Sequence, residues 1–174
     1  MHKLLQSVLT STVLLLAAVP AWAAPSSYSV SNIKAFLYYD DAGEIGQSDL
    51  TQLPEGKLFN TFIGEGIADG PSNATFVLVE VSGPDFANHD IGKLNLKASI
   101  ELFDGEKTKQ SLVHNQTVDV NFFFNEGKTK IYIPFLVYMT GGSEMTLVAT
   151  LTGGKDAQNK TTSITKKIKF GGGE

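Results

Sequence analysis

The chain has 174 residues and a net formal charge of −4 at pH 7, with no cysteine and, because all 14 basic residues are lysines, no arginine. The weakly acidic balance argues against a nucleic-acid partner. The missing thiols exclude disulfides, iron–sulfur sites and a thiolate nucleophile. This length suits one domain with a sizeable hydrophobic core.

Residues 1–23 have the pattern of a secretory signal peptide. Lys3 precedes a mostly apolar stretch, and an Ala-Trp-Ala sequence ending at Ala23 provides small residues at the cleavage-site positions. The apolar stretch is interrupted by polar residues and falls short of the roughly 20 apolar residues that a membrane-spanning helix needs. We therefore expect cleavage after Ala23, a single domain over residues 24–174, and a periplasmic or secreted protein without membrane insertion.

After the signal, apolar and polar residues alternate with a period of two, and no helical stripe is sustained. Residues typical of turns, such as Gly and Asp, separate the alternating segments. This pattern predicts an all-β fold. The predicted strands span residues 28–39, 58–63, 75–81, 93–103, 109–113, 117–124, 129–138, 144–151 and 163–170.

Short strands at this spacing are typical of a single antiparallel β-sandwich. We expect an immunoglobulin-like sandwich of about eight or nine strands without a disulfide, and a closed β-barrel is the alternative. The polar arm that follows strand 93–103 and the lysine-rich last strand are predicted to be sheet edges. Such sandwiches have many unrelated functions, so the fold class implies no activity.

One hairpin is predicted in detail. Strands 117–124 and 129–138 would be joined by a tight turn at Gly127, and the resulting register places Phe122 opposite Ile131. A slip of one residue would turn the whole apolar set towards solvent.

That register predicts aromatic side chains on the solvent side. Phe123 and Tyr132 would lie on the same outward face, and Tyr138 follows along the same strand. These three aromatic residues are the candidate partner-binding residues, because an exposed aromatic patch is typical of protein contact surfaces. The alternative is that the long segment 40–57 or another loop covers them.

Six side chains are weak candidates for metal ligands: Asp40, Asp41, Glu44, Asp49, His89 and His114. The carboxylates, which fall within ten residues, suit Ca²⁺, and the histidines suit a mixed nitrogen and oxygen site. The carboxylate spacing does not match the helix-loop-helix calcium motif, so a solvated turn is the alternative. No cofactor is implied.

Only two histidines remain after cleavage, and no serine lies in a Gly-x-Ser-x-Gly elbow. We therefore expect a non-catalytic protein of the cell envelope that binds another envelope or extracellular protein. One alternative is a small-ligand or metal-binding periplasmic protein. Another is a pilus-like or assembly subunit that donates residues 26–34 as a strand to its neighbour. The oligomeric state stays open.

Overall fold

A computed structural model describes residues 27–54, 57–86, 89–104, 108–122, 127–141 and 144–170. The predicted signal peptide lies outside these ranges. Within them, the strands are β1 Ser29–Tyr39, β2 Glu44–Ile45, β3 Ala74–Ser82, β4 Gly92–Asp104, β5 Thr108–Asp119, β6 Lys130–Tyr138, β7 Glu144–Gly153 and β8 Thr161–Lys169. Short 3₁₀ helices lie at Leu50–Gln52, Thr61–Ile63 and Val120–Phe122. No helix in this part of the chain is both long and apolar enough to cross a membrane.

The strands form two four-stranded sheets that pack face to face. The first sheet has the order β2-β1-β3-β6 and the second has the order β5-β4-β7-β8. Every neighbouring pair is antiparallel. The chain crosses between sheets from β3 to β4, from β5 to β6 and from β6 to β7, so consecutive strands face each other across one core. The predicted antiparallel sandwich is confirmed.

Alternating side chains from both sheets build the core, as the period of two requires. In β4, Leu94, Leu96 and Ile100 are fully buried, whereas the intervening Lys93 and Lys97 are exposed. The second sheet also contributes alternate residues of β7, and the first contributes those of β1, β3 and β6. The strands β1, β3, β4, β6 and β7 therefore each have one side packed in the core and one side that faces away from it.

The edges of the second sheet lie where the sequence predicted them, at β5 and β8. In the first sheet β6 is an edge strand and contains Pro134, which cannot donate a backbone hydrogen bond to an added strand. The side-chain amide of Gln116, on β5, donates to the Leu136 carbonyl oxygen at 2.8 Å. Proline and side-chain capping both discourage further strand pairing at β6.

The open edge of β1 is covered by the segment that follows β2. The Gly46 N–H donates to the Leu37 carbonyl oxygen at 2.8 Å, and the Asp49 carboxylate accepts from the Ala35 N–H at 3.2 Å. Asp49 also begins the short helix Leu50–Gln52 by accepting from the Thr51 N–H at 3.1 Å. This segment therefore closes the edge of β1 by hydrogen bonding.

The predicted hairpin between strands 117–124 and 129–138 is wrong. β5 pairs with β4 along its whole length and ends at Asp119, while Ile131 of β6 pairs with Val81 in the other sheet. The Asp119 carboxylate accepts from the Asn121 N–H at 2.9 Å as the chain leaves the strand. Both sheets bury apolar residues against the same core, so alternation cannot tell which sheet a strand joins.

Two further strand predictions need correction. Residues 58–63 contain no strand; a 3₁₀ helix starts where the Asn60 side chain accepts from the Phe62 N–H and ends at Gly64 in the left-handed conformation, with φ 77°. The two strands predicted at 109–113 and 117–124 are a single strand that ends at residue 119.

Candidate functional site

The outer side of the first sheet carries apolar side chains on all four strands. In β1 the buried residues alternate with Lys34, Phe36 and Tyr38, which face away from the core, and β3 and β6 show the same alternation. We define the aromatic face as the following residues: Phe36, Tyr38, Ile45, Phe76, Leu78, Tyr132, Pro134, Leu136 and Tyr138.

Strand register joins these residues into rows across the sheet. Phe36 lies opposite Phe76, which lies opposite Leu136. Directly opposite side chains in antiparallel strands have Cβ atoms about 4.5–5.5 Å apart, so each row is a continuous strip. In the next row, Tyr38 lies between Ile45 on one side and Ala74 on the other, and Ala74 faces Tyr138.

Several of these side chains remain well exposed although they are large and apolar. Tyr132 is 46% exposed, Tyr138 is 49% exposed and Ile45 is 47% exposed. Phe36 and Phe76, in the middle of the sheet, are partly exposed. A contiguous apolar patch of this kind is often a functional contact surface.

The outer side of the second sheet is chemically different. Its rows are formed by short hydroxyl-bearing residues and lysines; for example, Asn95 lies opposite Thr150, which lies opposite Ser163. The other outward positions of β4, β7 and β8 are Lys93, Lys97, Ser99, Glu101, Glu144, Thr146, Val148, Thr152, Thr161, Thr165, Lys167 and Lys169. Of the two outer sides, only that of the first sheet has a predominantly apolar composition among the described residues.

One end of the aromatic face is closed by a buried carboxylate. Glu80 is 6% exposed and accepts from the Ser31 hydroxyl at 2.7 Å and from the Lys130 amine at 3.0 Å. The Tyr132 hydroxyl also donates to this carboxylate. The strand register shifts between Val30 and Asn32, and Ser31, which falls at this irregularity, reaches Glu80.

These contacts set the charge of the cluster. Burial by itself raises the pKa of Glu80, but hydrogen bonds from Ser31, Lys130 and Tyr132 outweigh burial and lower it. The pKa of Lys130 is raised by its hydrogen bond to Glu80, and the pKa of Tyr132 is raised by its bond to the same carboxylate. At neutral pH the cluster is therefore an ion pair with a neutral tyrosine.

The two ends of the face differ in charge. The Lys34 amine lies 5.8 Å from the centre of the Tyr132 ring, close enough for a cation–π contact. At the opposite end, β1 runs into a turn with three exposed carboxylates, those of Asp40, Asp41 and Glu44. The aromatic face thus lies between a cationic end and an anionic end.

The partner-binding residues predicted from sequence have different outcomes. Tyr132 and Tyr138 lie on the aromatic face, whereas Phe123 lies outside the described residues. The alternative cover, segment 40–57, contacts β1 and β8 through its short helix, and Leu50 of this helix is buried in the core. This helix therefore packs at the side of the sandwich, along the edge of β1 and next to β8.

The four acidic candidate metal ligands are divided between two places. Asp40, Asp41 and Glu44 are exposed around the turn between β1 and β2. Asp49 is occupied in capping the following helix and in holding the edge of β1. In the described part of the chain, no group of three or more His, Cys, Asp or Glu side chains is arranged to hold a metal ion.

The structure does not place the two histidines in one site. His89 lies in the loop before β4, where its Nδ1 is 3.8 Å from an Asp156 carboxylate oxygen, whereas His114 lies in β5 opposite Ala98. Asp156 also accepts from the Asp90 N–H at 2.7 Å. The contacts of Asp156 therefore hold two loops together.

A small cleft of about 240 Å³ opens at the β2 end of the sandwich. Its lining includes Tyr39 and Asp69, and the Tyr39 hydroxyl already accepts from the Asp69 N–H at 2.9 Å. Ligand pockets usually enclose about 300–1,000 Å³. This cleft falls below that range, whereas two open clefts of about 420 and 430 Å³, beside Leu53 and beside Lys93, fall within it.

Sequence reasoning missed most of the aromatic face, including Phe36, Phe76 and Leu136. A signal was nevertheless present, because residues 36–39 and 76–79 are apolar at both even and odd positions. A strand that is apolar on both sides indicates that both sides are meant to be covered. Glu80, which lies between two valines in β3, was also missed as a site residue.

Comparison with known proteins assigns no family. A scan of the chain against protein-family models finds no match, and a search of curated proteins also finds none. What the chain does must therefore be inferred from the chemistry of its own surface.

Proposed function

We propose that this chain is a non-catalytic protein-interaction module of the cell envelope that binds another envelope or extracellular protein through its aromatic face. The observation that carries the proposal is the contrast between the two outer sides of the sandwich. One is built from aromatic and aliphatic rows, and the other mostly from Ser, Thr, Asn and Lys. Residues 1–23 support export to the periplasm or beyond.

The composition of the face suits protein binding. Tyrosine supplies a large contact area with few rotatable bonds and is enriched among residues that dominate binding energy. Tyr132 and Tyr138 each leave almost half of their surface free. Burial of apolar area contributes roughly 25 cal/mol per Å², so covering these rows provides a driving force for association.

Binding through the face is favoured over strand addition at an edge of the first sheet. An added strand needs free backbone donors and acceptors along an edge. On β6 this ladder is interrupted by Pro134 and by the bond from Gln116, and on β1 it is occupied by Asp49. Within residues 26–34, the segment considered as a donor strand, the part from Ser29 to Lys34 pairs with β3 of the same chain.

Crosslinking in the native host tests this proposal. A photoreactive phenylalanine analogue in place of Tyr138 should crosslink one abundant protein, and the added substitution Tyr132→Ser should reduce that product. The matched control places the analogue at Val113, which is 56% exposed on the second sheet, and should give no such product. Equal crosslinking from both positions, or none from Tyr138, would contradict the proposal.

Export is tested separately. The protein recovered from the periplasm or the medium should begin at Ala24, as determined by N-terminal sequencing or intact mass. Recovery of the uncleaved chain from the cytoplasm alone would contradict the proposed location.

A further inference from the structure

The charges at the two ends of the aromatic face lie along one strand. In β1, Lys34, Phe36 and Tyr38 face outward in succession, and Asp40 and Asp41 follow in the turn. At about 3.3 Å per residue, Lys34 and Asp40 are roughly 20 Å apart. The face is therefore a cation, two aromatic residues and an anion in linear order.

This order is complementary to itself. Two copies can pack with their first sheets face to face around a two-fold axis. The axis lies midway between the two facing first sheets, runs parallel to them and across the strands, and passes near the level of Leu37. Such a rotation reverses the strand direction and keeps β1 over β1 of the second copy. Lys34 then faces Asp40 of the second copy, and the Phe36 row faces the Tyr38 row.

We infer that the occupant of the aromatic face is a second copy of this chain, packed as an antiparallel, two-fold symmetric dimer of the first sheets. This inference rests on the proposed function and specifies its partner. Charge complementarity is what selects a second copy. A two-fold contact forms the Lys34–Asp40 pair twice, once at each end of the face. Between these two pairs, the apolar rows of one copy meet the apolar rows of the other.

The size of the face sets the expected strength. Strands about 4.8 Å apart and about nine residues long give a face of roughly 500 Å² per copy, or roughly 1,000 Å² in the dimer. That area is at the lower limit of specific interfaces. We therefore expect a reversible dimer whose population depends on protein concentration.

Face-to-face packing also agrees with the distances that sheets require. Packed sheets lie about 10 Å apart, a gap that a lysine side chain spans when it meets a carboxylate from the opposite side. Lys130 is already paired with Glu80 at 3.0 Å. Lys34, over the Tyr132 ring at the rim of the face, is the cation in position to meet the second copy.

The experiment is sedimentation equilibrium on the purified domain, with two charge variants measured alone and mixed. Lys34→Glu places like charges at both contacts of the dimer, and the pair Asp40→Lys with Asp41→Lys does the same with the opposite sign. Each variant alone should dimerise about tenfold more weakly, because like charges in contact oppose association. A one-to-one mixture should form a heterodimer about as tight as the unchanged dimer.

Lys97→Glu, which changes an exposed lysine on the second sheet, is the matched control and should leave dimerisation unchanged. Circular dichroism confirms that each variant is folded, and Lys34→Gln serves as a milder variant if Lys34→Glu unfolds. Recovery of association in the mixture supports a second copy as the occupant, because a different partner could not produce it.

A monomer at every concentration up to about 1 mM, where only very weak association escapes detection, would overturn the inference. If the analogue at position 138 still crosslinks a different protein in the host, the proposed function survives although the dimer inference fails. A dimer that ignores both charge variants and the mixture would also overturn the inference, because it would use another surface.

Discussion

Replacement of Glu80 by glutamine tests whether the buried carboxylate of the first sheet stabilises the fold. Glutamine keeps the shape but removes the charge that Ser31, Lys130 and Tyr132 contact. A hydrogen bond to a charged group contributes about 1.5–3 kcal/mol, against about 0.5–1.5 kcal/mol for a neutral one. Because the donor side chains are largely exposed, solvent screening reduces the difference, and we expect a loss of about 1.5 kcal/mol.

The measurement is thermal and urea unfolding at a protein concentration low enough to dissociate the proposed dimer. For a domain of this size, a loss of about 1.5 kcal/mol lowers the melting temperature by roughly 3–6 °C. Glu144→Gln is the matched control, since Glu144 also pairs with a lysine, Lys167, at 3.1 Å but lies on a more exposed surface. We expect that control to cost less than about 0.5 kcal/mol.

The pH dependence gives an independent check. The pKa of Glu80 is lowered in the folded protein, so its contribution is complete above the unfolded pKa of about 4.3 and is lost as pH falls through the folded pKa. The difference between the unchanged protein and Glu80→Gln should therefore be constant near neutral pH and shrink below about pH 4. An equal cost for both variants, or a difference that persists in acid, would refute the reasoning.

Two further substitutions test the backbone. Gly92→Ala should cost more than about 2 kcal/mol, because Gly92 has φ 118° and an added Cβ would lie 2.1 Å from the Thr152 carbonyl oxygen; the control Gly70→Ala, with no atom within 4 Å, should change the melting temperature by less than about 2 °C, and similar losses for both would contradict this. Asp49→Ala should cost about 1–2 kcal/mol in urea unfolding, because it removes a helix cap and the bond to the edge of β1. The exposed Asp41→Ala is its control, and equal stability of the two variants would show that the edge needs no cover.

The first sheet differs from an ordinary sandwich sheet because its outer side is largely apolar. An antiparallel sheet in a sandwich normally alternates apolar and polar residues, as β4 and β7 do. In β1 and β3 both sides are apolar, and Phe36 and Phe76 lie next to each other on the side away from the core. Such a composition leaves apolar surface in water unless a partner covers it.

Much of the fold could be predicted from the sequence because a period of two requires no knowledge of distant contacts. The alternation of Leu94, Leu96 and Ile100 identifies a strand with one buried side, and the lysines of the last strand identify an edge. Absence of cysteine and arginine excludes whole classes of site by residue type alone. These properties are local, so the sequence by itself determines them.

Strand partners depended on the tertiary structure. The sequence pattern allowed residues 117–124 to pair with 129–138, but β5 pairs with β4 instead. Alternation could not distinguish these pairings, because both sheets turn an apolar side to the same core. Only the register brings Phe36, Phe76 and Leu136 into one row, or Ser31 and Lys130 to Glu80. Residues far apart in the chain form the face, and their proximity is a property of strand order that no local period contains.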